Sequence, residues 1–146
     1  MEFCCRKLSK RDIDMVLRMN EDFRSGFVCR KSARVFLKNP QNWMFAALSS
    51  GRIIGFAYGY ELTRLDGAGN MLYIHEVGVV KKLQRQGIGS RLMTELKAAC
   101  KSRGLCRYFL ITDRNNTGAN ALYQKLGGEV SVASQGSDVV YHFSTQ

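Results

Sequence analysis

Val79-Val80-Lys81-Lys82-Leu83-Gln84-Arg85-Gln86-Gly87-Ile88-Gly89-Ser90-Arg91 is the stretch that decides how this chain is read. It joins a strand to a helix. Met71–Val80 is rich in β-branched and aromatic residues, as strands are. From Gly87 the period changes, and Ile88, Leu92, Met93, Leu96, Ala99 and Cys100 share one face of a 3.6-residue repeat. Two glycines one residue apart at a helix start let the backbone approach a ligand closely. The first helix amides have no intrahelical acceptor and carry the positive end of the helix dipole. A phosphate or pyrophosphate is the natural occupant of such a turn. Lys81, Lys82, Arg85 and Arg91 add positive charge to it. The dinucleotide fingerprint is excluded because Leu92 stands where its third Gly belongs, and no Gly-Lys-Ser/Thr of a P-loop occurs. A tight glycine turn without a ligand is the plainer alternative.

Phe3–Leu8 reads as a short strand. Ser9 is placed to cap a helix with Ile13, Val16, Leu17 and Phe23 inward. A second helix runs from about Lys31 to Lys38 and ends before Pro40. Trp43–Leu48 and Ile53–Leu62 read as strands joined by the turn Ser49-Ser50-Gly51-Arg52. The turn Asp66–Asn70 leads into Met71–Val80. Gly104 stops the helix that begins at Gly87. Arg107–Thr112 is a strand, and Asn116–Leu126 a helix stopped by Gly127-Gly128. Glu129–Ala133 and Val139–Phe143 close the chain as a strand pair. The order β-α-α-β-β-β-α-β-α-β-β predicts an α/β domain with a mixed sheet. With 146 residues the chain is read as one domain, 1–146.

Charge is the unusual global feature. Lys and Arg number 22 and Asp and Glu 12, a net charge of +10. That surplus suggests an anionic partner: nucleic acid, anionic lipid or a phosphate-bearing cofactor. The N-terminus shows no secretory pattern and no window is apolar enough for a membrane span. The five cysteines include no C-x-x-C pair, and His75 and His142 have no Cys at ligand spacing, so no metal site is expected. Reduced thiols in a cytoplasmic protein are the simple reading. Cys100 falls on a core face, and Cys4, Cys5 and Cys106 lie away from the glycine turn in sequence. None is a convincing nucleophile.

Gln84-Arg85-Gln86-Gly87-Ile88-Gly89 resembles the acyl-CoA pyrophosphate loop, Q/R-x-x-G-x-G/A, of GCN5-related N-acetyltransferases (the GNAT superfamily). Asn116 to Gly127 resembles the same family's N-x-x-A-x-x-L-Y-x-x-x-G signature, carried by Asn116, Ala119, Leu122, Tyr123 and Gly127. Two motifs in order, about 30 residues apart, are far more specific than either alone. Two positions depart from the pattern: Gly128 replaces the usual aromatic, and Lys81 a frequent Pro.

The resemblance implies a mostly antiparallel sheet splayed between its fourth and fifth strands and flanked by helices. Acetyl-CoA, as co-substrate and with no metal, would lie in the V-shaped gap. The splay would fall near Glu76–Val79, at a bulge. Main-chain groups of Val77 and Val79 would bond the pantetheine arm and acetyl carbonyl. Gln84 and the amides of Arg85, Gln86, Gly87, Ile88, Gly89 and Ser90 would hold the pyrophosphate, with Asn116 touching the cofactor from the other side. The reaction would be direct acetyl transfer to an amine. With a lysine-like pKa of about 10.4, about one amine in 2,500 is neutral at pH 7, roughly 4.6 kcal/mol of barrier. A base is therefore useful. Glu76 is the candidate, against the alternative of a carboxylate paired with a Lys or Arg. Strand alternation predicts that neighbouring His75 points to the opposite face. Tyr123 would return a proton to the departing thiolate; plain packing on its helix is the alternative.

The acceptor is the least legible part. Leu72–Val79, the glycine loop and Ala121–Gly127 look similar to aminoglycoside 3-N-acetyltransferases of this superfamily. A polycationic acceptor would need an acidic rim, for which Glu21, Asp22, Glu61 and Asp66 are candidates; the +10 charge opposes it. Protein N-terminal or lysine amines, other small amines, and a non-catalytic acyl-CoA sensor stay open. A nucleic-acid module is disfavoured because basic residues are scattered and most aromatics read as core. The resemblance leaves a homodimer open.

Overall fold

Cys4–Lys7 (β1) lies antiparallel to Asn42–Ser49 (β2), which turns through Ser50-Gly51 into Arg52–Leu62 (β3). Ser50 and Gly51 both have positive φ, 50° and 73°, the backbone a two-residue turn between twisted strands requires. The structure is a computed structural model and describes residues 1–23 and 28–146. β2 is buried from Trp43 through Leu48. Both of its faces are covered, so it reads as an unbroken apolar run and not as an alternation.

Ile13–Leu17 (α1), Met19–Asp22 (α2) and Arg30–Lys38 (α3) cover one face of the sheet. Their core holds Val16, Met19, Ala33, Met44, Ile53 and Phe56. Ile88–Arg103 (α4) covers the other face, burying Leu92, Met93 and Leu96 against Leu72, Ile74 and Tyr108. Gly87 and Gly104 bracket α4 with φ of 84° and 86°, so the helix begins and ends where glycine allows the left-handed backbone.

Ser9 caps as expected, but over a 3-10 turn, Lys10–Asp12, ahead of α1. The Asp12 carboxylate accepts from the Ser9 amide at 2.8 Å and from both terminal nitrogens of Arg6 at 2.8 and 3.0 Å. These bonds hold its carboxyl below the usual carboxylate range, the Arg6 guanidinium first. A depressed folded-state pKa contributes stability above the unfolded pKa of about 3.9, and that stability is lost as pH falls through the folded value. Asp12→Asn is expected to cost about 1–2 kcal/mol near neutral pH, since Arg6 is half exposed. In urea denaturation the gap to wild type should close below about pH 4.

Met71–Val79 (β4) pairs antiparallel with β3 and parallel with Arg107–Asp113 (β5). Thr117–Lys125 (α5), Glu129–Val130 (β6) and Asp138–Ser144 (β7) complete the chain. The sheet order is β1-β2-β3-β4-β5-β7-β6. β6 is shorter than the predicted Glu129–Ala133. Ser131 bonds its hydroxyl to the Ala133 amide at 3.0 Å and its carbonyl to the Ser134 amide at 3.1 Å, and this serine turn ends the ladder. Gly128 sits beneath Phe143. A Cβ there would lie 2.7 Å from the ring and 2.9 Å from the Tyr123 carbonyl, which accounts for the missing aromatic. No helix among the described residues is long and apolar enough to cross a membrane.

One irregularity sets the site. Tyr58 pairs with Glu76 and Gly59 with Ile74, so His75 is an extra residue in β4. At Gly59 the strands come so close that a Cβ would lie 1.9 Å from the Tyr73 carbonyl oxygen. Only glycine fits.

Candidate functional site

The β4–β5 ladder runs from Met71↔Arg107 to Ile74↔Leu110 and stops. β4 continues to Val79 and β5 to Asp113 without pairing each other. The splay therefore opens at His75, one residue before the predicted Glu76–Val79. On the other side of β4 the ladder to β3 persists, and the Val80 amide donates to Ile54 at 2.9 Å. The carbonyl across that peptide, Val79, consequently points into the gap. Two-residue alternation turns the main chain of Val77 the same way.

A cleft of about 520 Å³ lies along this gap. It gathers Val77, Val79, Gln84, Arg85, Gly87, Ile88, Gly89, Ser90, Asn116 and Tyr123. Of the sequence-predicted residues for the cofactor, Gln86 alone is not on its wall. Arg85 has a φ of 64° and Gly87 a φ of 84°, so the loop turns through two left-handed positions, one of them held by a non-glycine residue. The Arg91 amide makes the first bond of α4, to Gly87, at 3.1 Å. Ile88, Gly89 and Ser90 precede it, so their amides lack intrahelical acceptors. The Gln84 side chain donates to the Val79 carbonyl at 3.1 Å, bracing the loop on the strand. Asn116 caps α5 through the Ala119 amide at 3.2 Å.

Charge around the loop differs from the sequence expectation. Arg91 faces away, bonded to Glu95 at 2.7 Å and stacked 4.3 Å over Phe3. Lys81 and Lys82 are exposed and off the cleft wall. Arg85 and Lys125 are the basic residues on it. Lys125 was not identified from sequence; it is exposed, two residues after the motif tyrosine and off that residue's apolar stripe. Donor amides, a left-handed turn and two cations fit a pyrophosphate group.

Tyr123 is nearly buried, its ring 5.6 Å from Tyr141 and 6.2 Å from Phe143. Burial pushes its phenol up to about 12, so the hydroxyl keeps its proton at any working pH. The Tyr141 hydroxyl donates to Asn120 at 2.7 Å and fixes α5 on β7. Burial likewise raises Cys5 to about 11 and Cys100 to about 12, which leaves both as poor nucleophiles.

Glu76 lines a second cleft, of about 360 Å³, between β3, β4 and the first three helices. Here alternation misleads. The extra residue puts His75 and Glu76 on one face, both beside Tyr58. The His75 ring lies 5.4 Å from Tyr58 and 6.3 Å from Tyr60, and its Nδ1 is 3.2 Å from the Tyr73 hydroxyl. Burial and then the Glu76 charge raise the Tyr58 phenol. Glu76 itself has no ion pair among the described residues, unlike the four acids of the expected rim. Arg52 takes Glu21 at 2.8 Å and Asp22 at 2.9 Å. Glu61 binds Arg103 at 2.9 Å and the Trp43 indole at 2.8 Å. Asp66 is paired with Arg64. Arginine partners, three of the four pairs long-range, cancel that rim. No cluster of metal-ligating side chains occurs among the described residues.

Among solved structures the chain is similar to an aminoglycoside acetyltransferase from an uncultured soil metagenomic sample, with a TM-score of 0.81 and 20% identity over 92% of this chain and 94% of that one. It is also similar to Arabidopsis thaliana NAA60 in complex with acetyl-CoA, with a TM-score of 0.77 and 16% identity over 98% of each chain. At these identities the likeness is one of fold. A mycothiol acetyltransferase from Arthrobacter sp. (strain FB24) is 32% identical over 89 residues. That match covers 61% of this chain and 28% of the relative's own length. Residues 13–128 match the acetyltransferase (GNAT) family, most of the chain and both motifs. With its parallel β4–β5 pair splayed over a glycine-rich helix start, the chain belongs to the acetyltransferase (GNAT) family.

Proposed function

We propose that this protein moves the acetyl group of acetyl-CoA directly to a primary amine of a small molecule. One observation carries the reading: the sheet opens between a phosphate-type cleft on one side of β4 and, on the other, a cleft holding a carboxylate with no ion pair among the described residues. A thioester laid along Val77 and Val79 would meet, through the gap, an amine brought to Glu76.

Acetyl-CoA supplies the activated acyl group. The chain's own residues do the rest. The amides of Ile88, Gly89 and Ser90, with Arg85 and Lys125, hold the pyrophosphate. Gln84 keeps the loop on β4, and the Val77 and Val79 main chain orients the arm. Glu76 accepts one proton from the incoming ammonium, directly or through a water. The nitrogen lone pair then forms the C–N bond as the C–S bond breaks. The second amine proton ends on sulfur, passed by way of the Tyr123 hydroxyl. The balance is an ammonium and a thioester giving an amide, a thiol and one proton. A phenol near 12 does not give its proton outright to a thiolate whose pKa is about 8.5. Tyr123 acts by hydrogen-bonding the developing charge and receiving the amine proton as it donates.

Thiol release from acetyl-CoA, followed across a panel of amines, tests the function. Turnover is the expected result. Cofactor binding with no turnover on any amine would leave a sensor, and no binding would remove both readings. Tyr123→Phe keeps the packing and deletes only the hydroxyl. It should lower kcat about 10–100-fold with the KM for acetyl-CoA changed less than about threefold. An unchanged kcat would reduce Tyr123 to packing.

A further inference from the structure

The cleft beside Glu76 has a wall of rings. Phe23, Phe36, Phe56, Tyr58 and Tyr60 line it. They support each other edge to face: Phe23 on Phe56 at 5.1 Å, Phe36 on Tyr58 at 5.6 Å and on Tyr60 at 5.9 Å. Two polar side chains on the wall are engaged by the chain itself, whereas the Tyr58 and Tyr60 hydroxyls have no hydrogen-bond partner among the described residues. Asn20 exchanges two hydrogen bonds with the Val28 backbone, at 2.7 and 2.9 Å, and the Ser32 hydroxyl lies 3.1 Å from the Cys29 sulfur. Among the described residues, Glu76 is the one acid on that wall. The volume, about 360 Å³, lies near the lower end of the range for small-ligand sites.

Resting on the acetyl-transfer reading, we propose that the acceptor is a small monoamine whose ammonium meets Glu76 and whose aromatic group lies among Phe36, Phe56, Tyr58 and Tyr60. One carboxylate matches one positive charge. The further ammonium groups of an aminoglycoside would be set against rings with no counter-charge, on a protein of net charge +10. A peptide N-terminus would bring a run of amide groups to a wall made mostly of rings and aliphatic side chains. The reaction adds its own requirement. Once Glu76 has taken a proton the acceptor is neutral, so ion pairing no longer holds it. Contact with the rings persists through that step, and edge-to-face stacking suits an aromatic acceptor.

Thiol release compared for 2-phenylethylamine, ethylamine, kanamycin and a tetrapeptide with N-terminal Met tests this. 2-Phenylethylamine should have a kcat/KM at least about tenfold above each of the others. Phe36→Ala should collapse the preference for 2-phenylethylamine over ethylamine. Phe36→Leu, which keeps the bulk and loses the ring, should reduce it about threefold or more. A ratio of two substrates on one preparation is insensitive to the folded fraction. Faster turnover of kanamycin or the peptide, or an unchanged ratio in both variants, would overturn this acceptor class and leave acetyl transfer standing. No turnover of any of the four amines, with the same preparation binding acetyl-CoA by calorimetry, would overturn the proposed function and this inference with it.

Discussion

Glu76→Gln is expected to lower kcat for acetyl transfer about 100- to 1,000-fold at pH 7. The glutamine keeps the shape and hydrogen-bonding reach of the side chain but accepts no proton. The amine must then arrive already neutral, a state that costs roughly 4.6 kcal/mol at pH 7 for a pKa of about 10.4. The deficit should shrink as pH rises toward the amine's own pKa, because bulk solvent then does what Glu76 did. This pH dependence separates a base from an electrostatic anchor. A carboxylate that only attracts the ammonium would, on removal, raise the acceptor KM and leave kcat alone. Rate–pH profiles for both enzymes with one saturating amine decide the matter, and a uniform kcat across the pair would end the base assignment.

Gly59→Ala is expected to have the largest effect on the fold. The added Cβ would sit 1.9 Å from the Tyr73 carbonyl oxygen, 2.8 Å from its carbon and 2.9 Å from the Ile74 Cα. All three are backbone atoms in the centre of the sheet, so no side chain can swing aside. Either the β3–β4 register gives way or the strands separate. A loss of about 4 kcal/mol or more, enough to unfold many domains of this size, follows from a strained backbone at a buried site. Gly55→Ala is the matched control on the same strand. Its nearest contact, at 3.2 Å, is a side-chain methyl group of Ile88, which can shift by a few tenths of an ångström. Urea midpoints of the two variants should differ widely. Equal midpoints would mean that the close approach at Gly59 does not constrain the sheet.

Gly59 matters to function because it sits opposite the bulge. The extra residue ends the β4–β5 ladder at Ile74 and starts the splay. It also resets the alternation, so that Val77 and Val79 face the cofactor-type cleft while Glu76 faces the other. Gly59, His75 and the gap are one device.

The element order was legible in the sequence because its cues are local. A 3.6-residue stripe from Ile88 to Cys100, an apolar run from Trp43 to Leu48 and turn residues at Ser50-Gly51 each report on a few neighbours. The glycine loop was legible for the same reason, since its amides, dipole and left-handed positions arise within one turn of chain. Tyr123 and Asn116 were legible through their match to the family signature between Asn116 and Gly127. His75 was misplaced, because alternation holds only while every residue has a partner and the bulge is a property of two strands. Arg91 and the four rim acids were misjudged as well. The pairs of Glu21, Asp22 and Glu61 join distant positions, such as Glu61 and Arg103, whereas those of Arg91 and Asp66 are local, to Glu95 and Arg64.

By itself the sequence determined the α/β order, the glycine turn with its unpaired amides, and the tyrosine at its helical position, each the product of chemistry within a few residues. Only the tertiary structure decided which charges survive and which faces meet. Ion pairing and strand register depend on distant segments, and these leave Arg85 and Lys125 at one cleft and Glu76 among aromatic rings at the other.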